Sequence, residues 1–404
     1  MKTVRGIVLV GLAWLTFAGE ILAQSGTCAG ISLGPGADLN GFRPFLIDNA
    51  WNTDISAAPV DPNSANIVSF IGAGAPLHPD FGAGFYLGNT IGIPYQVEDA
   101  TQPKVPIKIV AYKSESDPGP MPIPLNALIE GYPNPGNGDR HVLVLDKDGC
   151  WLYELDRGFP KNGLWKADSA AIWDMTIDEQ RPYTWTSADA AGLPIFPGLV
   201  RYDEVADGAI NHAIRMTVPV TRQAFTPPAS HWASSVTDPN APPMGLRMRL
   251  KASFNISSFP PNDQVILTAL QKYGVIVADN GSAMFISGTP DDNWNNNELD
   301  QLKTLTTSDF EVVITGPIYT PANVPTGPSP TVSNLTANPP SITAGQTSTL
   351  SWDVAKAIYT IVKPEVGPVR GTTTVVRPTV TTTYRLYATN QYGRKTQSVT
   401  VTVQ

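Results

Sequence analysis

The chain has 404 residues, enough for two domains rather than one ordinary core. Apolar residues make up 42% and charged residues only 15%, while Gly (34) and Pro (38) fall short of a disordered or low-complexity composition. A net charge of −8 argues against a nucleic-acid partner, which would require a basic face to displace counterions.

Lys2 and Arg5 precede an apolar run over 7–18 and the small-residue end at Ala23. This is the pattern of a secretory signal peptide over 1–23, with the mature chain starting at Gln24. The run is too short to span a bilayer, and no other segment is long and apolar enough. The expected location is extracellular, periplasmic or at the cell surface. Cys28 and Cys150 are the two cysteines, and in an oxidising compartment an even pair predicts one disulfide.

Residues 24–318 read as the candidate functional domain. Apolar runs predict strands over 66–71, 106–112, 141–145, 150–155, 199–203, 213–218, 246–252, 275–278 and 310–314. Only 261–273 carries helical spacing, opened by Pro-Pro-Asn-Asp. Many strands with one short helix predict a mainly β, large β-sandwich or jelly-roll-like domain, and the lack of βαβ alternation excludes a doubly wound sheet. The Asp279-Asn280-Gly281 triplet has the composition of a hairpin turn.

The blocks "GDRHVLVLDKDGCWLYEL", "WTSADAAGLPIFPGLVRYDEV", "INHAIRMTV", "MGLRMRLKASFNIS" and "ALQKYGVIVADNGS" resemble a family of uncharacterised secreted proteins from soil bacteria. That resemblance implies context and assigns no catalytic residue.

No G-x-S-x-G elbow, H-E-x-x-H helix, Walker loop or dinucleotide fingerprint is present, so no metal or cofactor motif is assigned. The stretch 185–207 holds the best carboxylates. Asp189 sits among small residues that leave room for a substrate, and Asp203 and Glu204 are expected at a strand end, pointing to opposite sides. A glycosidase requires one carboxyl group as acid and another as base or nucleophile, and Asp189 with Asp203 or Glu204 supplies that pair. The alternative is that Asp189 caps a turn and the other two are solvated. His212 and Arg215, with Tyr202, would suit a lyase acting on uronic acids, and His141 with His212 and a carboxylate would suit a metal. Trp173 and Trp185 offer faces for sugar, as do Trp165, Tyr183 and Trp294, unless these rings fold back over the core.

Composition changes at 319–330, where four prolines and small polar residues predict an extended linker. Beyond it, 331–404 carries seven basic and two acidic side chains, +5 in all, against −13 for the rest. Thr- and Val-rich alternation predicts about seven short strands around Trp352 and a small sandwich able to fold and melt alone. The segments "NLTANPPSITAGQTSTLSW", "PTVTTTYRLYATNQYG" and "VTVTV" resemble the bacterial Ig-like repeats that trail many secreted proteins. The resemblance implies an Ig-like fold and a role as spacer, surface attachment or glycan contact.

The expected function is a secreted polysaccharide-active enzyme, most simply a glycoside hydrolase using Asp189 with Asp203 or Glu204. His212 joins that catalytic set, and Trp173, Trp185, Tyr202 and Arg215 line the cleft. The expected partner is a polysaccharide or cell-surface glycan. A non-catalytic glycan-binding or adhesive protein, a structural envelope protein, and a lyase or metal-dependent site at His212 are the alternatives.

Overall fold

The computed structural model describes residues 28–404, so the expected export segment lies outside the described residues. The chain is mainly β, built from several sheets with few short helices. Two mixed sheets carry the larger region. The first runs Gly34–Pro35, Tyr95–Glu98, Val142–Asp146, Trp151–Asp156, Ser169–Asp174. The second runs Phe310–Val313, Arg247–Leu250, Val275–Asn280, Ile214–Val218, Phe285–Ser287, His78–Asp80.

Alternation along the first sheet divides the core. Leu143, Leu145, Leu152 and Trp173 face a large core shared with the second sheet. Val142, Val144, Trp151, Tyr153 and Ile172 face the opposite way, onto Trp165 and Ala167. Successive side chains point to opposite faces, so a strand read as a continuous apolar run must be covered on both sides.

The helix expected over 261–273 forms as Pro261–Lys272, with Ile266, Leu267, Ala269 and Leu270 buried. Two expected strands become helical. Residues 66–71 lie in the helix Ser64–Ile71, where Ile67, Val68 and Ile71 share a buried face. A short apolar run does not separate the two periods, and here the helical one wins. The strand expected over 199–203 reduces to one bridge between Val200 and Gly288, after which Tyr202–Ala206 is helical. The Asp279-Asn280-Gly281 segment is no hairpin, because Ile214–Val218 lies between Val275–Asn280 and Phe285–Ser287.

Residues 331–404 form a second sandwich of a three-stranded and a five-stranded sheet, around Leu350, Trp352, Val362, Tyr384 and Leu386. It does not hang free. Tyr359 and Ile361 join Trp151, Tyr153 and Trp165 in one apolar cluster. Asp117, fully buried, takes charged hydrogen bonds from Arg181 and Arg394 and accepts the Tyr359 hydroxyl at 3.0 Å. Arg370 holds Asp174 through Nε and Nη2 at 2.7 and 2.6 Å. The segment 319–330 is laid down on both parts: Tyr319 exchanges backbone hydrogen bonds with Phe225, and the Ser329 hydroxyl donates to the Tyr392 carbonyl at 3.3 Å. Gly327 lies so close to the Tyr392 ring that a Cβ there would approach to 2.5 Å.

Two outcomes follow for stability. Cys28 and Cys150 are disulfide-bonded across a separation of 122 residues. Loss of that cross-link is expected to cost about 4–5 kcal/mol through the entropy returned to the unfolded chain, measurable by denaturation with and without reductant. Asp117→Ala strands Arg181, whose side chain has no exposure, without its counter-ion. A loss of about 3–5 kcal/mol is expected, with 331–404 melting apart from the rest in calorimetry. A single unshifted transition would show that Asp117 does not clamp the two parts.

Candidate functional site

Asp189 is 1% exposed and both its oxygens are occupied. Arg215 donates to it from Nε and Nη2, each at 2.7 Å. The loop around it is closed rather than open. The Ser187 hydroxyl donates to the Leu193 carbonyl at 2.5 Å, and the Asp189 N–H donates back to Ser187 Oγ at 2.9 Å. Gly192 takes φ +72°, and a Cβ there would lie 2.1 Å from Ser230 Oγ. The small residues expected to leave room for substrate instead let the loop pack tightly. Gly198 acts likewise: a Cβ would meet the Trp51 ring at 2.6 Å and Arg215 Cβ at 2.9 Å, so only glycine lets this turn lie against Arg215.

Asp203 and Glu204 lie on the helix Tyr202–Ala206, not at a strand end. Asp203 accepts the Leu39 N–H at 3.0 Å, and Glu204 is held by Arg201 and by His212 Nε2 at 3.1 Å. Burial would raise the Glu204 carboxyl, but Arg201 and His212 outweigh it and hold it below its usual range. His212 is 2% exposed and its Nδ1 meets the Ala213 carbonyl at 2.8 Å, so both ring nitrogens are engaged. This group does not share a partner with the Asp189–Arg215 pair. The carboxylates expected to work together thus belong to separate ion-pair networks.

The aromatic residues turn inward. Trp173 is buried and donates its indole N–H to Glu154 at 3.0 Å. Trp165 and Trp294 are buried as well, donating to the carbonyls of Ile123 and Thr289. Tyr202 is half-buried, edge-on to Trp294 at 5.0 Å. Trp185 is half-buried beneath the guanidinium groups of Arg181 and Arg394. Tyr183 packs among Phe225, Tyr319 and Tyr392. A face covered by protein cations or rings is not open to sugar.

The residues that do converge surround Arg215. Its Nη1 donates to Ser287 Oγ at 2.8 Å, and Ser287 pairs in register with Asp80 on the next strand. Its Nη2 also reaches Asp279 at 3.6 Å. The same guanidinium acts on Asp80 and on Glu130, which pairs with His141 Nδ1 at 2.6 Å. Five ionisable groups from distant parts of the chain therefore share one field.

Their charge states diverge. Burial raises the Asp279 carboxyl to about 7, with the nearby Asp189 adding to it and Arg215 opposing. Burial and Glu130 raise Asp80. Burial also opposes charge on Glu130 and His141, but each stabilises the other's ion: Glu130 falls below its usual range and His141 rises to about 10. Asp279 keeps solvent contact, its side chain 30% exposed, and so does Glu130 at 23%. The segments that carry Asp80, Glu130 and Ser287 continue into a pocket of about 370 Å³, where Gly82, Leu128, Tyr132, Thr289, Asp291 and Asp292 form part of the wall. Among the described residues, no three His, Cys, Asp or Glu side chains converge as metal ligands would.

Sequence reasoning missed Asp80, Glu130 and Asp279 as site residues. The only local signal was an acid closing an apolar strand, in "VIVADN" for Asp279 and "LHPD" for Asp80. Comparison with protein-family models, curated proteins and solved structures returns no match for this chain.

Asp189→Asn is expected to lower stability by about 3–5 kcal/mol, because it leaves Arg215 buried without the charge that accepts two of its three side-chain hydrogen bonds. Chemical denaturation measures it. A variant as stable as the parent would free Asp189 for a role other than holding Arg215.

Proposed function

We propose that the protein is a secreted polysaccharide-active hydrolase whose acid and base are Asp279 and Glu130. The observation that carries this reading is the opposite charge bias of two solvent-touching carboxyls in the field of one arginine. Burial raises the Asp279 carboxyl to about 7, whereas His141 holds the Glu130 carboxyl below its usual range. Glycoside hydrolysis requires such a division: a protonated carboxyl to give its proton to the leaving oxygen, and a carboxylate to activate water or attack the sugar.

In this mechanism Arg215 fixes positions and does not touch substrate, since Asp189 and Ser287 occupy it. His141 keeps Glu130 ionised and orients it through the 2.6 Å bond. Asp80 lies in register with Ser287 on the next strand, with its own carboxyl raised by burial and by Glu130. The adjoining pocket, with Tyr132 and the exposed Phe85 at its edge, supplies apolar and polar contacts for a sugar ring. The inward Trp173, Trp165 and Trp294 weigh against a purely adhesive glycan binder working through stacking. Both ring nitrogens of His212 are engaged, by the Ala213 carbonyl and by Glu204, which weighs against His212 as the base of a lyase.

The test is reducing-end release from a polysaccharide panel by the parent and by Asp279→Asn. Turnover in the variant is expected to fall at least ~10²-fold with the melting temperature little changed. The parent's activity should decline as pH rises through about 7, where Asp279 loses its proton. The folded-state Asp279 carboxyl lies above its unfolded value, so its stabilising contribution is full in acid and also fades as pH rises through about 7. Equal turnover by Asp279→Asn would remove this residue as the acid.

A further inference from the structure

A groove of about 1200 Å³ lies between the segment 100–120 and the C-terminal sandwich, and none of the Arg215 cluster lines it. Five cations line it: Lys104, Lys113, Lys363, Arg385 and Arg394, against two carboxylates, Asp117 and Glu365. One of those carboxylates is spent, because Asp117 is buried between Arg181 and Arg394. Lys113, Lys363 and Arg385 have no carboxylate within ion-pair distance among the described residues. In a chain of net charge −8 this concentration is local and one-sided.

The sheet register sharpens it. Along Thr382–Asn390, Tyr384, Leu386 and Ala388 fill the sandwich, so Thr383, Arg385 and Tyr387 face the groove. Arg385 lies directly opposite Lys363 on the neighbouring strand. Like charges in that position repel and cost stability unless an anion sits between them. Lys104 is turned onto the Val366 carbonyl, and burial lowers its ammonium pKa, which leaves Lys113, Lys363 and Arg385 as the groove cations without a carboxylate or carbonyl partner among the described residues.

We infer that this groove binds a linear, carboxylate-bearing polysaccharide, with Lys113, Lys363 and Arg385 pairing with successive acidic groups. An open groove suits a polymer rather than a small anion. Guanidinium and ammonium groups are the side chains that recognise carboxylates. Single-stranded nucleic acid is less suited. Its proteins offer free aromatic faces to the bases, whereas the one groove aromatic, Tyr387, already has Lys363 and Arg394 near its ring at 5.7 Å each. The walls supplied by Pro103, Pro106, Pro118, Pro120 and Pro364 are stiff, so the groove is formed before its ligand arrives. This site stands whether or not the Asp279 cluster is catalytic.

The experiment is affinity electrophoresis and calorimetry of the full chain with polygalacturonate, its fully methyl-esterified form, and single-stranded DNA. Polygalacturonate is expected to bind, more weakly as salt rises, and the esterified polymer is not. The double variant Lys113→Glu, Arg385→Glu should weaken binding at least tenfold. Arg377→Glu, Lys395→Glu, which changes net charge equally outside the groove, should leave it intact. If the first pair lowers the melting temperature, Lys113→Gln, Arg385→Gln replaces it, with the same direction expected. No binding by the parent, equal loss in both double variants, or equal binding of the esterified polymer would overturn the inference. DNA binding as tight as that of the uronate would overturn the glycan assignment.

Discussion

A single buried cation organises the larger part of this molecule. Arg215 projects from Ile214–Val218 with almost no exposure, so its charge must be matched inside the fold. Asp189 supplies two of its hydrogen bonds, Ser287 a third and Asp279 the nearest additional charge. Meeting that demand draws the loop 185–198 over the second sheet and fixes the position of the strand that pairs with Asp80. His141, and more weakly the field of the same guanidinium, stabilise the Glu130 carboxylate at the solvent edge. Structure and proposed chemistry meet in this one side chain.

A second constraint explains the unusual architecture around it. The first sheet is apolar on both faces, so it requires a cover on each. One cover is the second sheet. The other comes partly from the C-terminal sandwich, through Tyr359 and Ile361, and partly from the short strands around Trp165. The sandwich has its own core, yet it is held against the body by buried charge at Asp117 and by Arg370 on Asp174. A large basic groove is the geometric consequence of setting an acidic body against a basic module while only part of the two surfaces is in contact.

The carboxylates divide into those that hold the fold and those that are chemically poised. Glu154 illustrates the first kind. It is fully buried and raised to about 7 by desolvation, and it accepts the N–H groups of Ile195 and Phe196 and the Trp173 indole. It has no exposure, so its perturbed ionisation serves the fold. Asp279 has a similar shift but keeps solvent contact, its side chain 30% exposed. Access, not the size of a shift, separates a structural acid from a candidate catalytic one.

What the sequence by itself determined was whatever depends on neighbours along the chain. The β class, the helix Pro261–Lys272 and the terminal sandwich follow from periodicity, and the Cys28–Cys150 bond from cysteine count and an expected oxidising compartment. Asp189, Asp203, Glu204, His212 and Arg215, singled out along the chain, all enter buried or half-buried ion pairs, whereas Asp80, Glu130 and Asp279 gave almost no local signal. Which of them pair, and which face solvent, was decided only by the tertiary structure. Asp189 meets an arginine 26 residues away, and Asp80 lies in register with Ser287 on a strand from the far end of the domain. A residue's exposure and charge state are set by desolvation and by ions that other segments bring to it. Local periodicity carries no record of those segments, whereas it does carry the backbone preference and the buried face of each element.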